Sequence, residues 1–347
     1  MKCKNVLSLL NQKVPLSLAE KWDNVGLLVE PSNTDELEVS NIFLTNDLTE
    51  PVLQEAIEKK ANFIISYHPP LFNQFKTVNQ KSVSQRIAIK AIENRIPIYS
   101  PHSALDSVQG GINDWIANGL LSLTNGKGHS RPIQSTQEAV SKSSHKITVY
   151  SNATDSLLSE FAKLVDQHFT ISSSVTHLFC NANQLANICN FLKQETQQGN
   201  VQHWDITNLE KSPSNVKGQG RLVTLDSPVE IDQVVTCIKQ LFELDKVRIG
   251  KPLIADPSSK KIQTISLCAG SGGFLILNEK ADLYLTGELK HHEILDACAK
   301  GNYVLVCDHS NSERGYLKVF KKDLEQLFNN NINIIISEKD TDPLEIV

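Results

Sequence analysis

The feature that most constrains the fold of this chain is a set of short apolar segments that each end at residues able to bind a metal ion. The segments 63–67, 96–99 and 303–307 each have the length of a single β-strand. The polar residues that follow them are His68, then His102 and Asp106, then Asp308, His309 and Glu313. In a sheet whose strands alternate with helices, ligands bind beyond the carboxyl ends of the strands. We therefore expect residues that are distant in sequence to converge on one site.

Alternating strand and helix patterns predict an α/β fold for both ends of the chain. Near the N-terminus, strand patterns alternate with helical patterns at 42–45, 51–60, 63–67 and 84–94. The last third of the chain shows the same alternation. The simplest account is one α/β body formed by residues 1–126 and 214–347 together.

The middle of the chain differs from this body. Residues 127–144 contain Gly, Lys, Ser, Gln and Pro with little apolar periodicity, which predicts an exposed linker. Residues 145–213 show a β-α-β-β-α-β pattern, which predicts an inserted ferredoxin-like α+β domain.

Composition limits the possible partners and location. The formal net charge of -5 provides no basic surface of the kind that indicates direct nucleic-acid binding. No apolar segment is long enough to span a bilayer, and the N-terminus lacks a secretory or transit pattern. Seven cysteines without a Cys-x-x-Cys pair favour a reducing compartment over a disulfide framework. We expect a cytoplasmic protein, with a nuclear pool as a second option.

His68 and Asp106 are candidate metal ligands. His68 precedes two prolines, and a residue before proline prefers an extended conformation, so its imidazole should project from a strand end. Asp106 follows another predicted strand and lies close to His102 in sequence. The alternative interpretations are a turn histidine and a turn or helix-start aspartate, which accepts hydrogen bonds from local backbone N–H groups.

His309 and Glu313 are the second pair of candidate ligands. Their four-residue spacing places both side chains on one face of a helix, about one turn apart, where a single cation could contact both. The alternative is a surface pair that stabilises an exposed helix modestly.

Two further residues, Glu288 and His292, follow the predicted strand at 283–286 and are candidates for proton transfer or for orienting a ligand. A solvated helix start would carry the same residues.

Imidazole and carboxylate ligands together suit zinc, manganese or iron better than calcium. Such an ion can lower the pKa of a bound water to about 7, which points to hydrolysis.

Several motifs in a fixed order resemble one protein family. They are WDNVG at 22–26, YHPP at 67–70, SALD at 103–106 with GGIND at 110–114, TGE at 286–288 with HH at 291–292, and HSNSERG at 309–315. Together they resemble the family named after the yeast NGG-interacting factor three, and its animal members most closely. Bacterial members are often labelled GTP cyclohydrolase type 2.

The resemblance implies a three-layer α/β/α fold, two metal ions in the pocket and a toroidal homohexamer. It also implies that His68, Asp106, His309 and Glu313 are metal ligands. Many bacterial members have a second histidine at the position of Tyr67, and a phenol near its ordinary pKa is a poorer ligand than neutral imidazole. One or two ions per chain are therefore compatible with the sequence.

Two functional hypotheses follow. The first is a divalent-metal-dependent hydrolase, of cyclohydrolase or phosphoester type, that acts on a small nucleotide-like substrate with Glu288 or His292 transferring the proton. The second is an oligomeric metal-binding scaffold or transcription-linked interaction protein without catalytic activity, as the family name implies.

Overall fold

The computed structural model describes the backbone of residues 1–32, 34–139, 143–152, 154–165, 167–253 and 260–344. The chain divides into two compact units, one made of Met1–Thr136 with Asn215–Val347 and the other of Gln137–Ser214. The first unit therefore contains both ends of the chain, as the alternation predicts.

The first unit begins with five helices and five strands. They are α1 Cys3–Lys13, β1 Gly26–Val29, β2 Asn41–Thr45, α2 Glu50–Glu58, β3 Phe63–Ser66, α3 Val83–Glu93, β4 Ile98–Ser100, α4 His102–Ser107, α5 Ile112–Leu121 and β5 Gly128–Ala139. Short 3-10 turns lie at Leu16–Leu18 and Ser122–Thr124. The start of α2 shows how local sequence sets these bounds. The Thr49 hydroxyl accepts the Val52 N–H, and Pro51 occupies the first turn, where no N–H is needed.

The second unit contains the elements β6 His145–Ser151, α6 Asp155–Leu164, β7 Gln167–Ser172, β8 Val175–Cys180, α7 Ala182–Gln197 and β9 Val201–Asn208. Their order is the predicted β-α-β-β-α-β order. The strands form one sheet in the order β7-β8-β6-β9, and each neighbouring pair is antiparallel.

The chain then returns to the first unit. The remaining elements are β10 Lys211–Val229, α8 Ile231–Phe242, β11 Arg248–Gly250, β12 Ile262–Cys268, α9 Gly273–Ile276, β13 Leu283–Thr286, α10 His291–Ala299, β14 Tyr303–Val306, α11 Asn311–Arg314, α12 Leu317–Leu327 and β15 Asn333–Ile336.

Two sheets organise the first unit. One has the strand order β1-β4-β3-β2-β15, and the other has the order β11-β14-β13-β12-β10-β5. The strands β4, β3, β2 and β15 are parallel, as are β12, β13 and β14. Because β15 pairs with β2, the last strand of the chain completes the sheet that the N-terminal residues begin.

Side chains alternate between the two faces of each sheet. Phe43 packs with α2 and α3 on one side of the first sheet, whereas Ile42 faces the core that contains α1, α5, α8 and α12. In the second sheet, Tyr284 packs with α9 and α10, and Leu285 faces that same central core. Each sheet therefore lies between two helix layers, which is the predicted α/β/α arrangement, and the two sheets share the middle layer.

The prediction of an exposed linker at 127–144 needs correction. Residues 128–139 form β5, which lies beside β10 at the edge of the second sheet. A strand at a sheet edge is stabilised by backbone hydrogen bonds and exposes many of its side chains, so it has no need of an apolar pattern.

Within the described residues, none of the helices has the length and apolarity needed to cross a membrane.

A buried carboxylate joins α2 to the segment after β15. Glu55 is 3% exposed and accepts hydrogen bonds from the Ser337 hydroxyl at 2.6 Å and the Glu338 and Lys339 N–H groups at 2.9 and 3.1 Å. Burial alone would raise the pKa of Glu55, but these bonds and the Lys59 ammonium outweigh it and lower the pKa to about 2. The ionised carboxylate therefore stabilises the folded chain.

We expect Glu55→Gln to remove part of the acid sensitivity of folding. The wild-type free energy of unfolding should contain a contribution of up to about 3 kcal/mol from Glu55, present above about pH 5 and lost as the pH falls towards 2. Urea unfolding between about pH 7 and pH 3 measures it. Glu58→Gln, at an exposed position of the same helix, is the control. Equal pH dependence in wild type and Glu55→Gln would contradict the assignment.

Candidate metal centre

Three histidines from different loops converge at the carboxyl ends of the strands. His68 follows β3, His102 begins α4 just after β4, and His309 follows β14. The His68 ring centroid lies 5.2 Å from the centroids of both His102 and His309. The predicted convergence of residues from opposite ends of the chain is therefore confirmed.

Glu313 lies between two of these imidazoles. Its carboxylate is 2% exposed. Oε2 lies 3.4 Å from His68 Nε2, and Oε1 lies 3.4 Å from His309 Nε2. Asn46, which is fully buried, donates from Nδ2 to Glu313 Oε2 at 3.1 Å and helps to hold it. The ligand atoms of His68, His309 and Glu313 all lie within 4.8 Å of one another. We call these three residues the ligand group.

Each histidine ring has a carboxylate near its Nδ1 atom, and for His68 and His102 the contact is a hydrogen bond. The pairs are His68 with Asp47 at 2.8 Å, His102 with Asp23 at 2.8 Å, and His309 with Glu288 at 3.3 Å. A carboxylate that accepts the Nδ1 proton fixes the tautomer and leaves Nε2 as the free ligand atom. In the ligand group, the two Nε2 atoms then face a buried carboxylate, which is an arrangement that could hold a cation.

The geometry of the ligand group fits a metal ion. Zinc binds imidazole nitrogen and carboxylate oxygen at about 2.0–2.2 Å, which places neighbouring ligand atoms of a tetrahedral site about 3.3–3.5 Å apart. The two observed N···O separations are both 3.4 Å, one to each oxygen of the Glu313 carboxylate, and the whole group lies within 4.8 Å. Two imidazoles with one carboxylate also leave a tetrahedral ion with an open position, as in catalytic rather than structural sites.

Without a metal, a proton serves as the cation. Burial alone would lower the pKa of His68, but the Glu313 and Asp47 carboxylates outweigh burial and raise the pKa to about 10. His68 is then an imidazolium at neutral pH, and a metal ion has to displace its proton.

Asp106 lies in the same pocket but outside the ligand group. Its Oδ1 accepts a hydrogen bond from the Tyr67 hydroxyl at 2.5 Å. Burial raises the pKa of Asp106 to about 6, although the nearby His102 and the Tyr67 hydrogen bond act in the opposite direction. The structure therefore brings all four predicted ligands together, but it pairs Asp106 with a phenol.

Gly270 permits this arrangement in the loop after β12. Its φ of +63° is in the left-handed region that favours glycine, and a Cβ atom there would clash with the Glu313 carboxylate and approach His309 Nε2 to 3.0 Å. The glycine-rich segment after Cys268 thus allows its backbone to approach the ligand group closely.

Two cavities meet at His68 and His309, which line both. One of about 830 Å³ also contains Glu288, and the other, of about 570 Å³, also contains Tyr67, His102, Asp106 and Glu313. His292 is exposed near the start of α10, its ring 5.3 Å from that of His291, and it lines neither cavity. Of the two predicted proton-transfer residues, only Glu288 adjoins the ligand group.

Three residues at the site are not among the four predicted ligands. His102 precedes Asp106 by four positions, and Asp23 and Asp47 lie in polar clusters that could equally cap secondary structure. The available signal was their position after apolar segments. Their roles depend on contacts with histidines far away in sequence, and periodicity contains no information about such contacts.

The fold and the site define an α/β protein with a histidine and carboxylate centre suited to a divalent metal. The chain belongs to the Duf34/NIF3 (NGG1p interacting factor 3) family, whose model matches residues 1–343. It is 58% identical to NIF3-like protein 1 of Dictyostelium discoideum, over 100% of this chain and 98% of that protein. It is 39% identical to NIF3-like protein 1 of Homo sapiens, over 100% of this chain and 93% of that protein. The crystal structure of Staphylococcus aureus protein SA1388 matches with a TM-score of 0.80 and 25% identity, over 100% of this chain and 99% of that chain.

Metal binding should release a proton from His68. At about pH 7 the imidazolium, whose pKa is raised to about 10, must lose its proton before Nε2 can bind a metal. We expect close to one proton released per ion, measured by isothermal titration calorimetry of Zn²⁺ in two buffers of different ionisation enthalpy. Binding enthalpies that do not depend on the buffer would contradict the prediction.

The Asp47 carboxylate should increase metal affinity without contacting the ion. We expect Asp47→Ala to raise the Kd for Zn²⁺ about 10- to 100-fold, because the His68 ring loses the partner that orients it. Competition with a chromophoric chelator measures the Kd. Asp342→Ala is the matched control, since Asp342 lines the larger cavity but accepts from Ser310. Equal Kd values for the two variants would show that Asp47 has no such role.

Proposed function

We propose that this protein is a divalent-metal-dependent hydrolase that acts on a small nucleotide-like substrate, by a cyclohydrolase or phosphoester reaction. The observation that carries the proposal is the ligand group of His68, His309 and Glu313 at the junction of two cavities. A closed structural site would have no space for a substrate, whereas this group is open to space on two sides.

The ligand types favour zinc, manganese or iron. A divalent ion held there would lower the pKa of water to about 7 and polarise the bond under attack. The chain's own contribution is to hold the ligand atoms rigidly: Asp47 and Glu288 orient the two imidazoles, and Asn46 holds the carboxylate.

Glu288 is the residue best situated to accept a proton. Its Oε2 lies 3.3 Å from His309 Nδ1, and its side chain is 56% exposed on the larger cavity. Because Glu288 lies on the Nδ1 side of His309, it would exchange protons with the attacking water and the leaving group through an intervening solvent molecule. We assign the proton-transfer role to Glu288 and none to His292, which lines neither cavity.

The two cavities offer the two kinds of contact that a nucleotide needs. Arg248 and Lys290 line the larger cavity and could bind an anionic group. Trp22, Phe72 and Phe274 line the smaller one, where they are 60%, 49% and 71% exposed and could contact a planar ring. Homohexameric assembly, transcription-related partners and a cytoplasmic or nuclear location stay proposals that rest on the family resemblance.

Turnover by metal-loaded protein tests the proposal. We expect Mn²⁺- or Zn²⁺-loaded wild type to hydrolyse at least one member of a panel of nucleotides, phosphodiesters and GTP analogues. His309→Ala should lose nearly all activity, and Glu288→Gln at saturating metal should lower kcat about 10²- to 10⁴-fold.

His292→Ala is the matched control for Glu288→Gln, because both side chains lie near the start of α10 but only Glu288 contacts His309. It should keep the wild-type rate. Absence of turnover across the panel, or equal rates for wild type and His309→Ala, would rule out the hydrolase.

A further inference from the structure

The pocket contains one complete set of three metal ligands beside one incomplete set. Within the described residues, the ligand atoms of His68, His309 and Glu313 form the one group of three that lie within 4.8 Å of one another. His102 and Asp106 line the same cavity, and the His102 ring centroid is 5.2 Å from that of His68. A neighbouring ion would need these two residues and a third ligand.

Tyr67 lies beside both His102 and Asp106, where a third ligand would be needed. Its ring centroid lies 5.4 Å from that of His102, and its hydroxyl lies 2.5 Å from Asp106 Oδ1. The side chain is 3% exposed. Backbone hydrogen bonds hold the residue in place, since its N–H donates to the Thr45 carbonyl and its own carbonyl accepts from Ser100. These bonds fix the backbone of Tyr67, and the buried surroundings of the side chain leave the phenol little room to move.

The Tyr67 hydroxyl donates to one of the two carboxylate oxygens of Asp106, Oδ1, and so competes with an ion for that oxygen. A hydrogen bond to an ionised carboxylate is about twice as strong as one between neutral groups. A neutral phenol oxygen is in turn a poor substitute for an imidazole nitrogen as a ligand. The second position therefore has one imidazole, His102, and one carboxylate, Asp106, but a phenol in place of a third good ligand.

We infer that this chain binds a single divalent ion at His68, His309 and Glu313, and that no second ion binds because Tyr67 offers a phenol, not an imidazole, beside His102 and Asp106. The inference rests on the metal-binding part of the proposed function and not on hydrolysis. Tyr67 is thus the residue that determines how many ions the pocket binds.

The number of ions per chain in the wild type is the first test. Metal-free protein is loaded with Mn²⁺, desalted, and analysed for manganese and protein. We expect one ion per chain, with the six-line electron paramagnetic resonance spectrum of an isolated Mn²⁺. Two ions per chain, or the broadened spectrum of a coupled pair, would overturn the inference.

Variants at Tyr67 test the cause. Tyr67→His adds an imidazole and releases Asp106, so it should raise the count from one ion to two and give the spectrum of a coupled pair. Tyr67→Phe, the matched control, releases Asp106 without adding a ligand and should stay at one. A folded Tyr67→His protein that still binds one ion would overturn the role of Tyr67.

Asp106→Asn covers the case in which Tyr67→His does not fold. It should keep one ion per chain, because Asp106 lies outside the ligand group. Loss of that ion would place Asp106 in the first site and overturn the inference. If the wild type binds one ion but hydrolyses no substrate, the hydrolase proposal fails and the single-ion inference stands. If the wild type is active and binds two ions, the single-ion inference fails and the hydrolase proposal stands.

Discussion

The site depends on a buried carboxylate that faces two imidazole nitrogens. Glu313 is 2% exposed, and burial of a charge without a partner costs several kcal/mol, so a cation beside this carboxylate would be strongly stabilising. Asp47 and Glu288 hold the Nδ1 sides of His68 and His309, so both Nε2 atoms face inwards. The fold therefore brings one carboxylate and two imidazole nitrogens to a position where they could hold a divalent cation.

The layered architecture supplies the rigidity that this arrangement needs. His68 and His309 follow strands of different sheets, and the two sheets pack on one central helix layer. Neither ring can shift far unless a sheet moves relative to that layer. Interiors of this kind are close-packed and do not deform continuously, so the separation of the imidazoles is set by the core and not by the loops alone.

The sequence was sufficient to predict where the site lies but not how its residues are paired. One short apolar strand ends just before His68, and another ends just before His309 and Glu313. Parallel strands have their carboxyl ends at one sheet edge, so these patterns predict that the three residues lie close together. The pairing of Tyr67 with Asp106 depends on the relative heights of two adjacent strands, which no local pattern encodes. The edge strand at 128–139 was missed for a related reason. Its stability comes from the β10 backbone beside it, not from its own side chains.

The pairing of β15 with β2 determines when the centre can form during synthesis. Asn333 on β15 donates from its side chain to Asn41 on β2, across 292 positions of sequence. A nascent chain on the ribosome can complete the small middle unit early, but the sheet that carries His68 stays unfinished until almost the entire polypeptide has emerged. The group of His68, His309 and Glu313 is consequently a late product of synthesis, because two of its three residues lie in the last forty positions of the sequence.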